Sequence, residues 1–277
     1  MSPKSMDMHA ADWPVTEQHL FASGAQHVLQ FPHPLTCVLL DLQHLAEKVD
    51  LKREEKTLGG CLSSTEMDLY NRFTLAKRKR EWLGGRLAAK YAAARLIDRL
   101  QPGHYRIGWE DFSILADENG RPHITAGNRT GPPMPDISIS HSGTYAAALA
   151  VHKGFGGLDL QEITPRVMRV KDRFCSAGEV RILQDTLPAA DRDFSASLTK
   201  LWAAKEALRK VARMQTLPGF LEMELVEIKC GAHKTTPWNF IFEINPSAGF
   251  PRKSVRVAVT RLENYALAVT VVDDTLD

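Results

Sequence analysis

The chain has 277 residues, 44% hydrophobic and 25% charged, which is enough to bury the core of one large domain or two small ones. Lysine and arginine exceed aspartate and glutamate by 35 − 33 = 2, so bulk charge names no polyanionic partner and any phosphate site must come from local clustering. No apolar run is long enough to span a bilayer, the first residues carry no signal-peptide core, and Cys37, Cys61, Cys175 and Cys230 lack zinc spacing. A cytoplasmic protein with reduced thiols is the expectation.

Residues 1–31 show no sustained period and read as a partly irregular extension. The compact apolar run 36–42 is a first core strand, followed by a charged connection over 48–60. Ser63 and Glu66 form a capping box for a short helix that ends near Phe73. A longer helix is expected over 77–100, with Leu83, Leu87, Tyr91, Ala94 and Ile97 on one stripe and Lys77, Arg78, Lys79, Arg80, Arg86 and Lys90 supplying positive charge. Residues 105–115 read as a strand, and 117–135, rich in Gly, Pro, Asn and Asp, as a turn and loop that leaves Arg121 on exposed backbone. Ile137 and Ile139 alternate with Ser138 and Ser140 in a strand that delivers His141 at its exit, and 145–151 is a buried strand. Ser140, His141 and Ser142 make an anion-contact cluster; the plainer reading of His141 is a local hydrogen-bonding residue.

The glycines at 154, 156 and 157 do not have the spacing of a P-loop or a dinucleotide fingerprint. Residues 155–160 form a short buried strand interrupted by Asp159, an acid that is costly there unless it is paired or holds a metal. Ser176 and Glu179 can cap a helix within 170–183, and the helix expected over 191–213 sets Trp202, Glu206 and Lys210 along one face at i, i+4, i+8. Asp159 and Glu206 could share a divalent cation while Lys205 and Lys210 face a phosphate; the bland alternative is a surface helix with a Glu-Lys pair and a capped Asp. Four strands follow, over 222–230, 238–244, 254–261 and 265–272. One offset, 202 − 82 = 210 − 90 = 265 − 145 = 120, aligns Trp82 with Trp202, Lys90 with Lys210 and Tyr145 with Tyr265. The fold class is therefore α+β: two similar halves, 32–153 and 154–277, each a long helix packed on a mostly antiparallel sheet. If the halves pack face to face, Arg78, Arg86 and His141 would meet Asp159, Glu206 and Lys210 in a cleft.

From about Leu62 onward the chain resembles the Sfp-type 4′-phosphopantetheinyl transferases. The resemblance rests on ordered motifs: the basic run Lys77 to Arg80 leading through Glu81-Trp82-Leu83-Gly84-Gly85 to Arg86, then Gly120-Arg121-Pro122, Ile139-Ser140-His141-Ser142, Gly157-Leu158-Asp159, Phe174 to Glu179, and Trp202-x-x-Lys205-Glu206-x-x-x-Lys210. It implies a pseudo-dimeric, monomeric enzyme that moves the phosphopantetheine arm of coenzyme A to a serine of an apo acyl, peptidyl or aryl carrier protein, needs Mg²⁺ and releases adenosine 3′,5′-bisphosphate. It also implies metal ligands at Asp159 and Glu206, phosphate contacts at Lys205 and Lys210, and contacts to the 3′-phosphate and nucleotide at Arg78, Arg86, Arg121, Ser140 and His141. Glu206, or a water it polarises, is the candidate base, and Lys210 would offset charge in the transition state. One position departs from the family pattern: Gln161, a neutral amide, stands where many members carry a second acid on the metal. That departure motivates an alternative, a catalytically weak module that binds coenzyme A or a carrier protein. Nucleic-acid binding through 77–86 is weaker, because the basic run has little aromatic interleaving.

Overall fold

The computed structural model describes residues 15–17, 31–49, 58–103, 108–126, 133–186, 193–212, 218–229, 237–245 and 254–273. Most of the expected irregular extension, residues 50–57 of the charged connection, the start of the strand expected at 105, Gly131 and Pro132, and Cys230 lie outside them. The chain divides into two compact units, the first running to His152 and the second from Lys153, with residues 31–35 counted in the second.

The first unit contains β1 (Val15–Glu17), β2 (Leu35–Asp41, all but its first residue), α1 (Leu42–Lys48), α2 (Ser64–Asn71), α3 (Ala76–Leu100), the hairpin β3 (Phe112–Ala116) and β4 (Pro122–Ala126), and the hairpin β5 (Asp136–Ser142) and β6 (Tyr145–Val151). Its main sheet runs β1-β2-β6-β5. The strand β6 is Tyr-Ala-Ala-Ala-Leu-Ala-Val, and these small buried side chains let α3 lie close, its own Ala88, Ala89, Ala92 and Ala93 facing inward with Leu87 and Leu96. The second unit contains β7 (Phe155–Glu162), α4 (Ala177–Thr186), α5 (Phe194–Val211), β8 (Met223–Lys229), β9 (Trp238–Ile244), β10 (Ser254–Leu262) and β11 (Tyr265–Val272). Its five strands run β7-β11-β10-β9-β8, each antiparallel to its neighbour. On α5, Leu198, Leu201 and Leu208 are fully buried, each contributing about 1.5–3 kcal/mol from apolar burial. Each unit is thus a long helix on a mostly antiparallel sheet, the α+β class expected from sequence.

Local chemistry explains where the boundaries moved. The first core strand stops at Asp41 and not at Leu42, because the Asp41 carboxylate accepts hydrogen bonds from the amides of Gln43 and His44 and caps α1. The stretch expected to be a turn and loop over 117–135 holds β4: Asp117 accepts from the amides of Asn119 and Arg121, and Gly120 at φ 81° completes a turn tight enough to pair β4 with β3. Val15–Glu17, inside the expected irregular extension, pairs with β2. Residues 165–173 wind as a 3₁₀ helix beginning at Pro165, and the α-helix starts only at Ala177, where Ser176 and Glu179 exchange the expected capping-box bonds.

The internal repeat is present, with a corrected helix register. The β5–β6 hairpin pairs Ser142 with Tyr145, and the β10–β11 hairpin pairs Leu262 with Tyr265, so the offset of 120 holds for the strands. In the helices, however, Lys90 matches Lys205 and not Lys210. The Lys90 ammonium meets Glu66 at 2.6 Å and donates to the carbonyls of Phe112 and Trp109; the Lys205 ammonium meets Glu179 at 2.7 Å and donates to those of Phe174 and Phe220. Glu66 and Glu179 each cap their own helix start and accept one strand amide, from Ile114 and Leu225 respectively. The helix offset is therefore 205 − 90 = 115, which places Tyr91 and Arg95 of α3 where α5 has Glu206 and Lys210. The acid on the helix belongs to the second unit alone.

Candidate active site

Close approach of α5 to β7 builds the acidic centre of the second unit. Any Cβ at Gly157 would collide with the carbonyl oxygen of Ala207 and stand 2.9 Å from Val211 Cγ1, so only glycine allows the helix to lie this near. The pleat then puts Asp159 and Gln161, two and four residues on, on that same helix-facing side. Asp159 is buried, and Lys210 reaches it from α5: Nζ stands 2.9 Å from Oδ1 and donates to the Leu158 carbonyl at 2.8 Å. One turn earlier, Glu206 is half-buried and its Oε1 lies 3.6 Å from Arg209 Nη1. Burial pushes the Glu206 carboxyl above its ordinary value, the negative charge of Asp159 pushes it further, and Arg209 and Lys210 pull it back. Each of the two carboxylates has a cation beside it, Lys210 at Asp159 and Arg209 at Glu206.

The donor set fits a hard divalent ion, two carboxylate oxygens with the Gln161 amide on the same side of the strand. Among the described residues there is no cluster of three or more His, Cys, Asp and Glu, so Asp159 and Glu206 are the charged side chains this centre offers a metal, and Gln161 the neutral one. That difference is measurable. Gln161→Glu is expected to lower the Mg²⁺ concentration that half-saturates binding by about tenfold, the worth of one charged contact at a partly exposed site. An unchanged titration would place residue 161 away from the metal.

Lys205, expected at a phosphate, lies in the interior. Its side chain is 0% exposed, and its ammonium is held by Glu179 and by the carbonyls of Phe174 and Phe220, which use all three of its donor directions. Burial holds its pKa below the ordinary lysine value, with Glu179 acting in the opposite direction. As placed, it braces α5, and Trp202 sits beside it between Phe174 and Phe220, ring centroids 5.0 and 4.9 Å away. Cys175, next to this pair, is pushed up to about 11 by burial, and Cys61, near Lys90, to about 12, so both are inert thiols.

The basic residues singled out in the first unit take different places. Arg78 is exposed on the first turn of α3. Arg86 is half-buried, lies 4.9 Å from the Trp82 ring, and has a buried Nε without a hydrogen-bond partner among the described residues. Burial lowers its pKa, with Glu66 opposing. Arg121 pairs with Asp136 at 2.6 Å, so it enters any ligand contact already neutralised. Ser140 is buried in β5, while His141 at the strand exit is exposed, with Nδ1 4.0 Å from Glu81 Oε1. Sequence reasoning missed Arg209, whose signal was its place three residues after Glu206, and the Lys–Glu braces, whose signal was a lysine on the apolar stripe of each helix.

The model of the 4′-phosphopantetheinyl transferase superfamily matches residues 157–270, the segment that carries Gly157, Asp159, Gln161, Glu206 and Lys210. A holo-[acyl-carrier-protein] synthase of Streptococcus uberis is 31% identical over 113 residues, 40% of this chain and 91% of that protein. The chain belongs to the 4′-phosphopantetheinyl transferase superfamily. A holo-[acyl-carrier-protein] synthase of Anoxybacillus flavithermus is 32% identical over 116 residues, 41% of this chain and 88% of that protein. Among solved structures, the holo-(acyl-carrier-protein) synthase from Bacillus anthracis in complex with CoA gives a TM-score of 0.34 at 22% identity, covering 42% of this chain and 92% of that one. The superfamily segment lies within the second unit. Among the described residues no helix is long and apolar enough to cross a membrane.

Proposed function

We propose that this phosphopantetheinyl transferase moves the 4′-phosphopantetheine arm of coenzyme A to a serine of an apo carrier protein, with Mg²⁺ held by Asp159, Glu206 and Gln161. The observation that carries the reading is the approach of α5 to β7 over Gly157, which brings Asp159, Glu206 and Lys210 together within the superfamily segment. Bound there, Mg²⁺ would neutralise charge on the diphosphate. Glu206, or a metal-bound water that it polarises, would take the proton of the attacking serine hydroxyl. The serine oxygen would bond to the β-phosphorus of coenzyme A as the bond from that phosphorus to the bridging oxygen breaks; Lys210 would offset the charge that develops, and adenosine 3′,5′-bisphosphate departs.

In the first unit, Arg78, Arg86, Arg121, Ser140 and His141 are proposed to hold the nucleotide and its 3′-phosphate. The planar guanidinium of Arg86 and the imidazole of His141 are donors that suit such a phosphate, and Arg86 Nε has no hydrogen-bond partner among the described residues. His141→Ala is expected to weaken coenzyme A more than 3′-dephospho-coenzyme A; equal weakening of both would place His141 elsewhere. The same reading makes the protein a cytoplasmic monomer, in which one chain supplies two similar halves.

Gln161 motivates a second reading, a module that binds coenzyme A or a carrier protein and turns over weakly. A panel of apo acyl, peptidyl and aryl carrier proteins, incubated with coenzyme A and Mg²⁺ and followed by release of adenosine 3′,5′-bisphosphate, separates the two. Release with at least one carrier supports transfer, and coenzyme A binding with no release from any of them supports the module.

A further inference from the structure

The helix face that carries Glu206 holds a cation the superfamily motif does not include. Arg209 follows Glu206 by three residues and Lys210 by four, so both basic side chains share the turn above the carboxylate. The Arg209 guanidinium lies 4.6 Å from the centroid of the Phe220 ring, stacking that fixes its plane. Phe220 is itself fixed, because its carbonyl accepts from the buried Lys205 and its ring packs on Trp202. Arg209 Nε is buried and makes no hydrogen bond among the described residues, and Nη1 approaches Glu206 Oε1 at 3.6 Å, beyond a good hydrogen bond. The guanidinium is therefore rigidly placed at the acidic centre, with donor capacity in hand.

Charge accounting gives this placement a purpose. Asp159 and Glu206 bring two negative charges and Lys210 and Arg209 two positive, a sum of −2 + 2 = 0. A divalent cation and a diphosphate diester, with about two negative charges, leave that sum unchanged. Without Arg209 the loaded site would be left with one uncompensated negative charge in a half-buried space.

We propose that Arg209 is a substrate contact, its guanidinium binding the diphosphate of coenzyme A alongside Lys210. This rests on the reading that the site receives coenzyme A with Mg²⁺. Lys210 and Arg209 neutralise Asp159 and Glu206, and a metal held by the two acids would leave the two bases to the phosphates.

Calorimetric titration tests this on the full chain with Mg²⁺ present, using coenzyme A, 3′-dephospho-coenzyme A and adenosine 3′,5′-bisphosphate against wild type, Arg209→Gln and Arg209→Lys. Arg209→Gln is expected to weaken coenzyme A and 3′-dephospho-coenzyme A by the same factor, about tenfold for one lost charge-assisted contact, and to leave adenosine 3′,5′-bisphosphate, which lacks the diphosphate, nearly unaffected. Arg209→Lys should recover part of the loss, because it keeps the charge but not the fork. Wild-type affinity in Arg209→Gln, or an equal loss for all three ligands, overturns the assignment and leaves an i, i+3 ion pair. Failure of the wild-type chain to bind coenzyme A would instead strike the functional reading beneath it, and the proposal with it.

Discussion

Lys205→Met is expected to lower the unfolding free energy of the second unit by about 3–5 kcal/mol, read as a large fall in the urea midpoint. The methionine roughly matches the lysine stem in volume, so little is lost from packing. What remains is the Glu179 carboxylate, 1% exposed, with its cation gone and the carbonyls of Phe174 and Phe220 stripped of their donor. Lys210→Met removes a lysine that is 29% exposed but leaves Asp159, 9% exposed, without that cation, so its cost to stability is expected to be real but smaller than that of Lys205→Met, together with weaker ligand binding. A Lys205→Met protein as stable as wild type but unable to bind coenzyme A would reverse these assignments and return Lys205 to the phosphate.

The second large effect is on turnover. Glu206→Gln should reduce transfer by about a hundred- to ten-thousandfold, the range for losing a general base, with the loss of a metal ligand added to it. Coenzyme A binding should remain measurable, because Lys210, Arg209 and the basic residues of the first unit are untouched. The amide keeps the shape of the carboxylate, so the i, i+3 neighbour and the packing of α5 stay in place. Near-normal turnover in Glu206→Gln would remove this residue from the chemistry.

How much of this was legible in the sequence depended on whether the signal was local. The strands β6, β9 and β11 were readable to the residue, and both Ser-x-x-Glu capping boxes were as well, because alternation and capping act within a few residues. That Asp159 needs a partner could be anticipated from an acid in an apolar strand, but Lys210 was expected at a phosphate and was not anticipated as that partner. The fate of Lys205 could not. In the sequence it is a lysine next to a catalytic-looking glutamate, and only the fold shows that the turn from Phe174 and the turn at Phe220 converge on its ammonium. The helix register of the repeat failed for the same reason. Matching tryptophans set the alignment, whereas Trp82 packs with Tyr70 and Phe73 and Trp202 with Phe174 and Phe220, and the true equivalents are the buried lysines. Gly157 is intermediate: its place two residues before Asp159 was visible, but its purpose lies in the Ala207 carbonyl, fifty residues away in the chain.

The most direct measurement of the central claim is the intact mass of a purified apo carrier protein after incubation with this chain, coenzyme A and Mg²⁺, run beside the Glu206→Gln variant and beside a carrier whose acceptor serine is alanine. The account predicts a phosphopantetheine adduct with the wild-type pair, almost none with Glu206→Gln and none on the alanine carrier. Bound coenzyme A with no adduct on any apo carrier tried, or an adduct that forms equally well with Glu206→Gln, would contradict it.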